Sequence, residues 1–474
     1  MKSKIKFLLN DILIDTELNP ATVLLDFVRS HNFTSAKEGC KEGDCGACTV
    51  ICGKIENNKI KYRTINSCLV PVMNINGSHI VTLEGLNSRS GNLSPIQSSF
   101  LKEGASQCGF CTPGFIVSLT EYLLSNNFGE EILHSIDGNI CRCTGHNSII
   151  RAAENISNEF KDIPAEFDDR LKYLHSKNII PDFFLNAKEN LVELQKGIEP
   201  KNNQFNSPKY YISGGTDLFV QRPDDMLSSD VTFILKENRQ EIIYEKDGSC
   251  FIDSTSTVTD IFKSDLIRKY FPVITEFTEL FGSTPIRNSA TLGGNINNAS
   301  PIGDMTAFFM ALDSDVILSD GSSYREVSLK DFYTGYKKTL RKSDEFVKSL
   351  KFKIPGGQYY FNFEKVSKRT YMDIASVNTA IYLQLEEDVI SNINISAGGV
   401  FETPKFLSMT LDFLTGKKIE FSVIQDAVEI ADSEILPISD ARGSDVYKRL
   451  LLKRLIWTHF IKLFPELINI KETV

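Results

Sequence analysis

No stretch of the 474 residues stays apolar long enough to cross a membrane; runs such as Phe308-Phe309-Met310-Ala311-Leu312 stop well short of a span. The start, Met1-Lys2-Ser3-Lys4-Ile5-Lys6, is basic, but Asn10-Asp11 cuts off Phe7-Leu8-Leu9, so no secretory leader is expected and the expected location is cytoplasmic. Positive charge is also short: 52 Lys and Arg stand against 61 Asp and Glu, a net −9. That balance argues against a grip on phosphate backbones, so neither nucleic acid nor membrane is an expected partner. The nucleotide signatures G-x-G-x-x-G and G-x-x-x-x-G-K-[ST] are absent throughout. Gly (29) and Pro (16) are too few for a fibrous or low-complexity chain, and the 42% apolar and 24% charged residues are ordinary for a globular one. The length calls for about three domains.

Cysteine is unevenly placed. Nine of the ten lie in the first 143 residues, where an even spread would put about three. In a reducing compartment such crowding points to metal or redox chemistry rather than disulfides.

The first group is Cys40-Lys41-Glu42-Gly43-Asp44-Cys45-Gly46-Ala47-Cys48, with Cys68 further on. This C-x4-C-x2-C…C spacing is that of a plant-type [2Fe–2S] loop, and its small residues let backbone N–H groups turn toward sulfur. Strand-like runs at Lys4–Leu9 and Ile12–Ile14, followed by a helix pattern over Val23–Arg29, fit a small β-grasp. Buried thiols or a zinc site are the alternative, disfavoured because zinc sites usually pair two C-x2-C units. Cys52, in the strand leaving the loop, reads as a core residue.

The second group is Cys108-Gly109-Phe110-Cys111 and Cys141-Arg142-Cys143, each pair just ahead of a helical pattern, Phe115–Leu124 and Ile149–Phe160. A four-thiolate [2Fe–2S] centre carries about −2 when oxidised, and two helix N-termini suit that charge. A zinc ribbon is again the alternative.

Taken together, Glu38 through Val50, Gln107 through Gly114 and Asn139 through Gly145 closely resemble the two-cluster module of the molybdenum hydroxylases, the family of xanthine dehydrogenase, aldehyde oxidase and carbon monoxide dehydrogenase. His146-Asn147-Ser148 departs from the Tyr-containing turn common in that family, but after the last ligand. The resemblance implies Cys40, Cys45, Cys48 and Cys68 as ligands of one cluster and Cys108, Cys111, Cys141 and Cys143 of the other.

Residues 161–180 are polar, without a clear apolar period, and read as a linker; a new globular region is expected from Pro181-Asp182-Phe183-Phe184. Tyr210-Tyr211-Ile212-Ser213-Gly214-Gly215-Thr216-Asp217-Leu218 reads as a strand running into a Gly pair, either a plain turn or a pyrophosphate loop. Phe281 through Asp304 is too rich in Gly, Asn, Ser and Thr for a core, yet Leu292, Ile296 and Ile302 hold it against one. This run resembles the family's FAD-binding segment. By that resemblance Tyr211, Ile212, Ser213, Gly214, Gly215, Thr216, Asp217 and Leu218 line the FAD pyrophosphate and Phe281 packs by the adenine or ring system. Thr291, Gly294, Asn295 and Asp304 bind phosphate and ribityl, and Val347 lies in a strand near adenine. Lys365 matches a family lysine near the flavin, with an ordinary surface charge as its alternative; Lys368 and Arg369 are read the same way. Strands over 374–385 and 393–400 and a helix over Asp445–Phe460 match the family's small C-terminal domain.

The expected fold is therefore α+β and multidomain. Its parts are a β-grasp [2Fe–2S] domain over 1–86, a four-helix [2Fe–2S] domain over 87–162, a linker over 163–180, a two-part α+β FAD domain of vanillyl-alcohol-oxidase type over 181–357, and a small α+β domain over 358–474. The resemblance implies electron transfer from a molybdopterin cofactor on a separate large subunit, through both clusters to FAD, with NAD+ as the usual acceptor. The module order looks like the small subunit of a bacterial xanthine dehydrogenase, serving hydroxylation of hypoxanthine and xanthine to urate in a heterotetramer. No purine-hydroxylating residue is then expected in this chain, and Gln107 is a candidate contact to the pterin. Another molybdenum hydroxylase, or a stand-alone electron-transfer flavoprotein, remains open on the same motifs.

Overall fold

The structure, a computed structural model, describes residues 2–87, 91–125, 132–198, 208–236, 241–369 and 372–468. The chain forms two compact units, one of Met1–Asn203, Gly214–Leu235 and Ser283–Ala290, the other of Gln204–Ser213, Lys236–Gly282 and Thr291–Val474. The architecture is α+β in both, as expected.

The first unit opens with β1 (Ser3–Leu9), β2 (Ile12–Leu18), β3 (Thr49–Glu56), β4 (Lys59–Asn66) and β5 (His79–Val81), in the order β2-β1-β5-β3-β4. β1 and β5 run parallel and every other pairing is antiparallel. Alternation along β1 buries Ile5, Phe7 and Leu9. Phe7 meets Phe27 of the helix Leu24–Ser30 edge-on at 5.3 Å, which seats the helix on the sheet. This is the expected β-grasp, with Cys52 buried in β3.

Helices Pro95–Lys102, Thr112–Leu124, Asn147–Glu159 and Phe167–Ser176 follow. The first starts on a Ser94/Gln97 capping box with Pro95 in its first turn. The fourth corrects the linker reading of 163–180: it is a helix that buries Arg170, Leu171 and Leu174. The Arg170 guanidinium donates to the carbonyls of Ser125 (2.6 Å) and Ala165 (2.5 Å), so a charged residue is held on the inner face by backbone acceptors. The new globular region expected from Pro181 does not begin there either. Phe184, Ala187 and Leu191 join the core of the first unit.

In the second unit an antiparallel sheet runs Tyr324–Ser328, Asp315–Ser319, Phe346–Lys353, Ser249–Asp253, Ile243–Lys246. A second runs Tyr359–Val366, Val377–Glu386, Val389–Gly398, Lys405–Phe406 and is covered by the helices Phe421–Ser433 and Asp445–Leu463. Phe308 lies 4.7 Å from Phe361, and Phe281 lies 4.8 Å from Phe363. Aromatic packing thus crosses the expected 357/358 boundary.

Each unit buries one neutral histidine. His79 Nε2 donates to the Asn10 carbonyl at 2.9 Å while Nδ1 stands 3.0 Å from the Tyr62 hydroxyl, and burial pushes its pKa down to about 4. His459 sits between Asn362 and Thr379, each at 2.8 Å, and burial pushes it down to about 3. Both take a proton in the unfolded chain at the ordinary value of about 6.5 and resist it when folded. Stability is therefore unaffected by them above that pH and falls as the pH drops toward 4, by about 2 kcal/mol for each histidine at pH 5. Denaturant midpoints at pH 7 and pH 5 should show this fall. The double variant His79→Gln/His459→Gln should flatten it, and an unchanged pH slope in that variant would refute the assignment.

Candidate functional site

The first cysteine group is built on the loop between the helix Leu24–Ser30 and β3. Left-handed backbone at Lys41, Gly43 and Gly46 coils that loop. Side chains pin it: Asn66 Nδ2 donates to the Gly43 carbonyl (2.8 Å), and the Ser67 hydroxyl to that of Cys48 (2.7 Å). Cys40 Sγ accepts backbone N–H groups from Glu42 and Cys45, both at 3.4 Å. A hydrogen bond from the Cys45 thiol, followed by these amides, holds the Cys40 pKa at about 4 and raises that of Cys45. Cys48 and Cys68, both buried, form a second pair with Sγ atoms 3.3 Å apart, and the hydrogen bond between them lowers the pKa of Cys48 and raises that of Cys68.

The second group pairs in the same way. Cys143 Sγ donates to Cys108 Sγ at 3.5 Å. Cys111 bonds to Cys141 through their side chains, and burial pushes Cys111 up to about 12. At Cys141 burial opposes ionisation, but the hydroxyl and amide of Thr144, at 3.2 and 3.4 Å, outweigh it and the pKa falls. Cys111 caps the helix Thr112–Leu124, and His146, just ahead of Asn147–Glu159, accepts the Cys141 amide at 3.1 Å. Two helix starts thus face this group. Cys48 and Cys68 are shielded, whereas Cys108 and Cys143 are exposed, together with Phe110, Ile140 and Gln107.

Two thiolates on each of two irons is the ligand pattern of a [2Fe–2S] cluster, and the paired sulfurs match it. The residues fit that group in both places.

The residues matched to flavin binding fall in both units. In the second unit, Thr291 caps the helix Leu292–Asn298, its hydroxyl accepting the Gly294 amide at 3.2 Å. The run expected as an extended polar loop is therefore partly helical. Gly293 lies against Ser254, where a Cβ would meet the Ser254 Cβ at 2.6 Å. Asn295 Oδ1 accepts the Thr306 hydroxyl at 3.3 Å. Asp304 is fully engaged: Lys365 Nζ reaches one oxygen and Asn378 Nδ2 the other, both at 2.6 Å. Lys365, with its side chain 3% exposed, also donates to the Leu280 carbonyl, so the surface-charge alternative does not hold. The Phe281 ring packs against Phe262, Phe308 and Phe363. The Tyr211 hydroxyl donates to the Asp344 carbonyl, and burial raises its pKa. Ile212 is buried beside Ser213, and Val347 is buried in its strand opposite Leu318. In the first unit Gly214 and Gly215 (φ +83°) precede the short helix Thr216–Gln221, which holds Thr216, Asp217 and Leu218. Lys368 donates to the Ala441 carbonyl and Arg369 to Met372, so neither joins Lys365. Asn378 was not among the expected residues; its signal was a fully buried amide beside the apolar residues Val377, Ala380 and Ile381 of the strand Val377–Glu386.

Four family descriptions match the chain. They are "2Fe-2S iron-sulfur cluster binding domain" over 10–73, "[2Fe-2S] binding domain" over 82–154, "FAD binding domain in molybdopterin dehydrogenase" over 192–355 and "CO dehydrogenase flavoprotein C-terminal domain" over 362–463. Xanthine dehydrogenase 1 of Arabidopsis thaliana is 28% identical over 93% of this chain and 38% of its own length. Xanthine dehydrogenase of Calliphora vicina is 27% identical over 96% and 39%. The chain thus spans under two fifths of these relatives. Among solved structures, reconstituted CO dehydrogenase from Oligotropha carboxidovorans is 22% identical with a TM-score of 0.48, covering 52% of this chain and 88% of that one.

Proposed function

Because the chain belongs to the molybdenum hydroxylases, as the part that bears their two 2Fe-2S domains and their FAD-binding domain, we propose that it is the electron-transfer subunit of a xanthine dehydrogenase. It takes electrons from a molybdopterin cofactor on a separate large subunit and delivers them through both clusters and FAD to NAD+ while hypoxanthine and xanthine are oxidised to urate. The observation that carries this reading is the pairing of eight cysteines into two sets of four beside an FAD-binding domain. Bound [2Fe–2S] clusters handle single electrons and FAD handles one or two, so together they join one-electron to two-electron donors.

The chain's own residues divide the work. Cys40, Cys45, Cys48 and Cys68 hold one cluster, with backbone amides of the 40–45 loop stabilising anionic sulfur. Cys108, Cys111, Cys141 and Cys143 hold the other at an exposed face, where Gln107, Phe110 and Ile140 suit docking of the molybdenum-bearing subunit in a heterotetramer. Thr291, Gly294 and Asn295 would hold FAD phosphate, and Ser213 through Leu218 would serve as the pyrophosphate loop. Asp304, its carboxylate held by Lys365 and Asn378, would contribute to binding the ribityl chain. The names of the relatives favour xanthine over the aldehydes or N-heterocycles that other members of the family oxidise.

The test is metal and flavin analysis of the chain purified without oxygen from its own host. About four irons and one FAD per chain are expected, with molybdenum on a co-purifying chain, bleaching of the visible spectrum by xanthine, and recovery on adding NAD+. Bleaching by an aldehyde but not by xanthine would move the substrate to another member of the family. Zinc in place of iron would end the reading.

A further inference from the structure

Lys37 stands just ahead of the first cysteine group, and its backbone belongs to that loop: the Lys37 amide donates to the Ala47 carbonyl at 2.9 Å, next to Cys48. Its side chain belongs to the other group. Nζ donates to the Phe110 carbonyl at 3.4 Å, inside the Cys108–Cys111 turn, and to the Ser35 carbonyl at 3.3 Å. The ammonium also stands 5.6 Å from the centre of the Phe110 ring, a cation–π contact. That ring in turn lies on the first loop, where a Cβ on Gly39 would come within 3.5 Å of Phe110 Cε1 and 2.7 Å of Cys45 Sγ. All of these residues lie in the first unit.

Lys37 is half-buried, and its hydrogen bonds go to carbonyls, which hold the ammonium without neutralising it. Glu84, a carboxylate that faces it, is held instead by the Ser35 amide (2.7 Å) and hydroxyl (2.5 Å). Burial foremost, and Arg29, push the Lys37 pKa down, while Glu84, Cys111 and Cys108 pull it up. The two cysteines of the second group that flank Phe110 are thus the ones that feel this charge. A partly buried charge is screened less than an exposed one, and net charge near an iron–sulfur cluster is one of the terms that set its potential.

We propose that Lys37 tunes the second cluster, its ammonium raising the reduction potential of the group held by Cys108, Cys111, Cys141 and Cys143. The proposal rests on the cluster reading above. A four-thiolate [2Fe–2S] centre carries about −2 when oxidised, and each electron accepted from the molybdenum-bearing subunit adds one more negative charge. A fixed cation beside the Cys108–Cys111 turn favours that added charge, so the cluster at the exposed face takes electrons more readily than its four thiolates alone would allow. The cation is anchored through the backbone of the first loop, so the second cluster depends on a residue that contributes none of its ligands.

The test is a redox titration of the full chain, purified without oxygen and reduced stepwise with dithionite, with both clusters followed by visible circular dichroism. The Cys48→Ser chain, which keeps all four ligands of the second group, shows which signal belongs to the second cluster. Lys37→Met keeps the apolar stem and loses the charge. It should make the second cluster about tenfold harder to reduce, about 59 mV for a one-electron couple, and move the first cluster by less than about threefold. Lys37→Arg, which restores a cation, should stay within about twofold of the unaltered chain. A second cluster that stays within about twofold in Lys37→Met, or an equal shift of both clusters, overturns the proposal and leaves the cluster reading standing. If Lys37→Met loses the second cluster, Lys37→Gln, which keeps a hydrogen-bond donor without the charge, is measured in its place. Loss of that cluster in both neutral variants makes Lys37 a structural pin and likewise overturns the tuning. A chain without iron ends the cluster reading and the proposal together.

Discussion

Replacing Cys48 by Ser is expected to lower bound iron from about four to about two atoms per chain and to erase one of the two cluster signatures in visible circular dichroism. Cys48 is buried, with the Cys68 sulfur 3.3 Å away. A serine hydroxyl ionises far less readily than a thiol and is a harder donor, so the iron it should hold loses half its protein ligands. The second group stands on other elements, Cys111 capping one helix and Cys141 and Cys143 leading into another, and keeps its four sulfurs. Xanthine should then still reduce the surviving cluster if the substrate reading holds, while flavin reduction becomes slow. Cys52→Ala is the matched control: Cys52 is equally buried but sits in β3 facing the core, so about four irons should remain. Four irons retained in Cys48→Ser would remove this cysteine from the ligand set.

Much of the cluster chemistry could be read from spacing alone because a ligand loop is local. Cys40, Cys45 and Cys48 fall within nine residues, and the glycines among them mark the left-handed turns at Gly43 and Gly46. Which sulfur faces which is not local: Cys48 meets Cys68 across a β-hairpin, and Cys143 meets Cys108 across a whole helix. The failed linker shows a different limit. Phe167, Leu171 and Leu174 do keep helical spacing, but the charged residues around them hid it, and Arg170 enters the core on the same side. A buried arginine that donates to two carbonyls still reads as solvent-facing in any hydropathy argument. The flavin run was recognised by resemblance, yet its inner part belongs with the cluster domains. The pair that takes it there, Asp137 and Arg287, is 150 positions apart in sequence, and nothing in either residue's neighbourhood points to the other.

Gly46→Ala should have the largest structural effect of any single methyl added to the first unit. Gly46 has φ +67°, which an L-residue adopts at a cost of about 1 kcal/mol. Space is the larger obstacle: a Cβ there would lie 2.3 Å from the Gly138 carbonyl oxygen, 2.4 Å from Asn139 Nδ2 and 2.9 Å from Asn139 Cα. Two of these are backbone atoms that cannot swing aside. The same surface is closed from the other direction, since a Cβ on Gly114 would meet the Gly46 carbonyl oxygen at 2.2 Å. Around this contact the Ile140 amide donates to the Cys45 carbonyl at 3.0 Å, and Asn139 donates to that of Gly46 at 3.2 Å. One methyl group therefore pushes apart the loop of the first cluster and the approach to Cys141 of the second. Overpacking of this kind costs about 1–3 kcal/mol even where side chains can yield. Both cluster spectra should broaden or vanish, and the thermal midpoint of the first unit should fall by several degrees. Gly104→Ala separates the two causes. Its φ of +62° carries a similar backbone strain, but nothing lies within 4 Å of its Cβ position, so only the strain of about 1 kcal/mol applies. If the two variants lose the same stability and both keep their clusters, the tight seam between the cluster domains has no energetic weight. A large excess for Gly46→Ala places that seam, rather than the cysteines alone, among the features that hold both clusters in place.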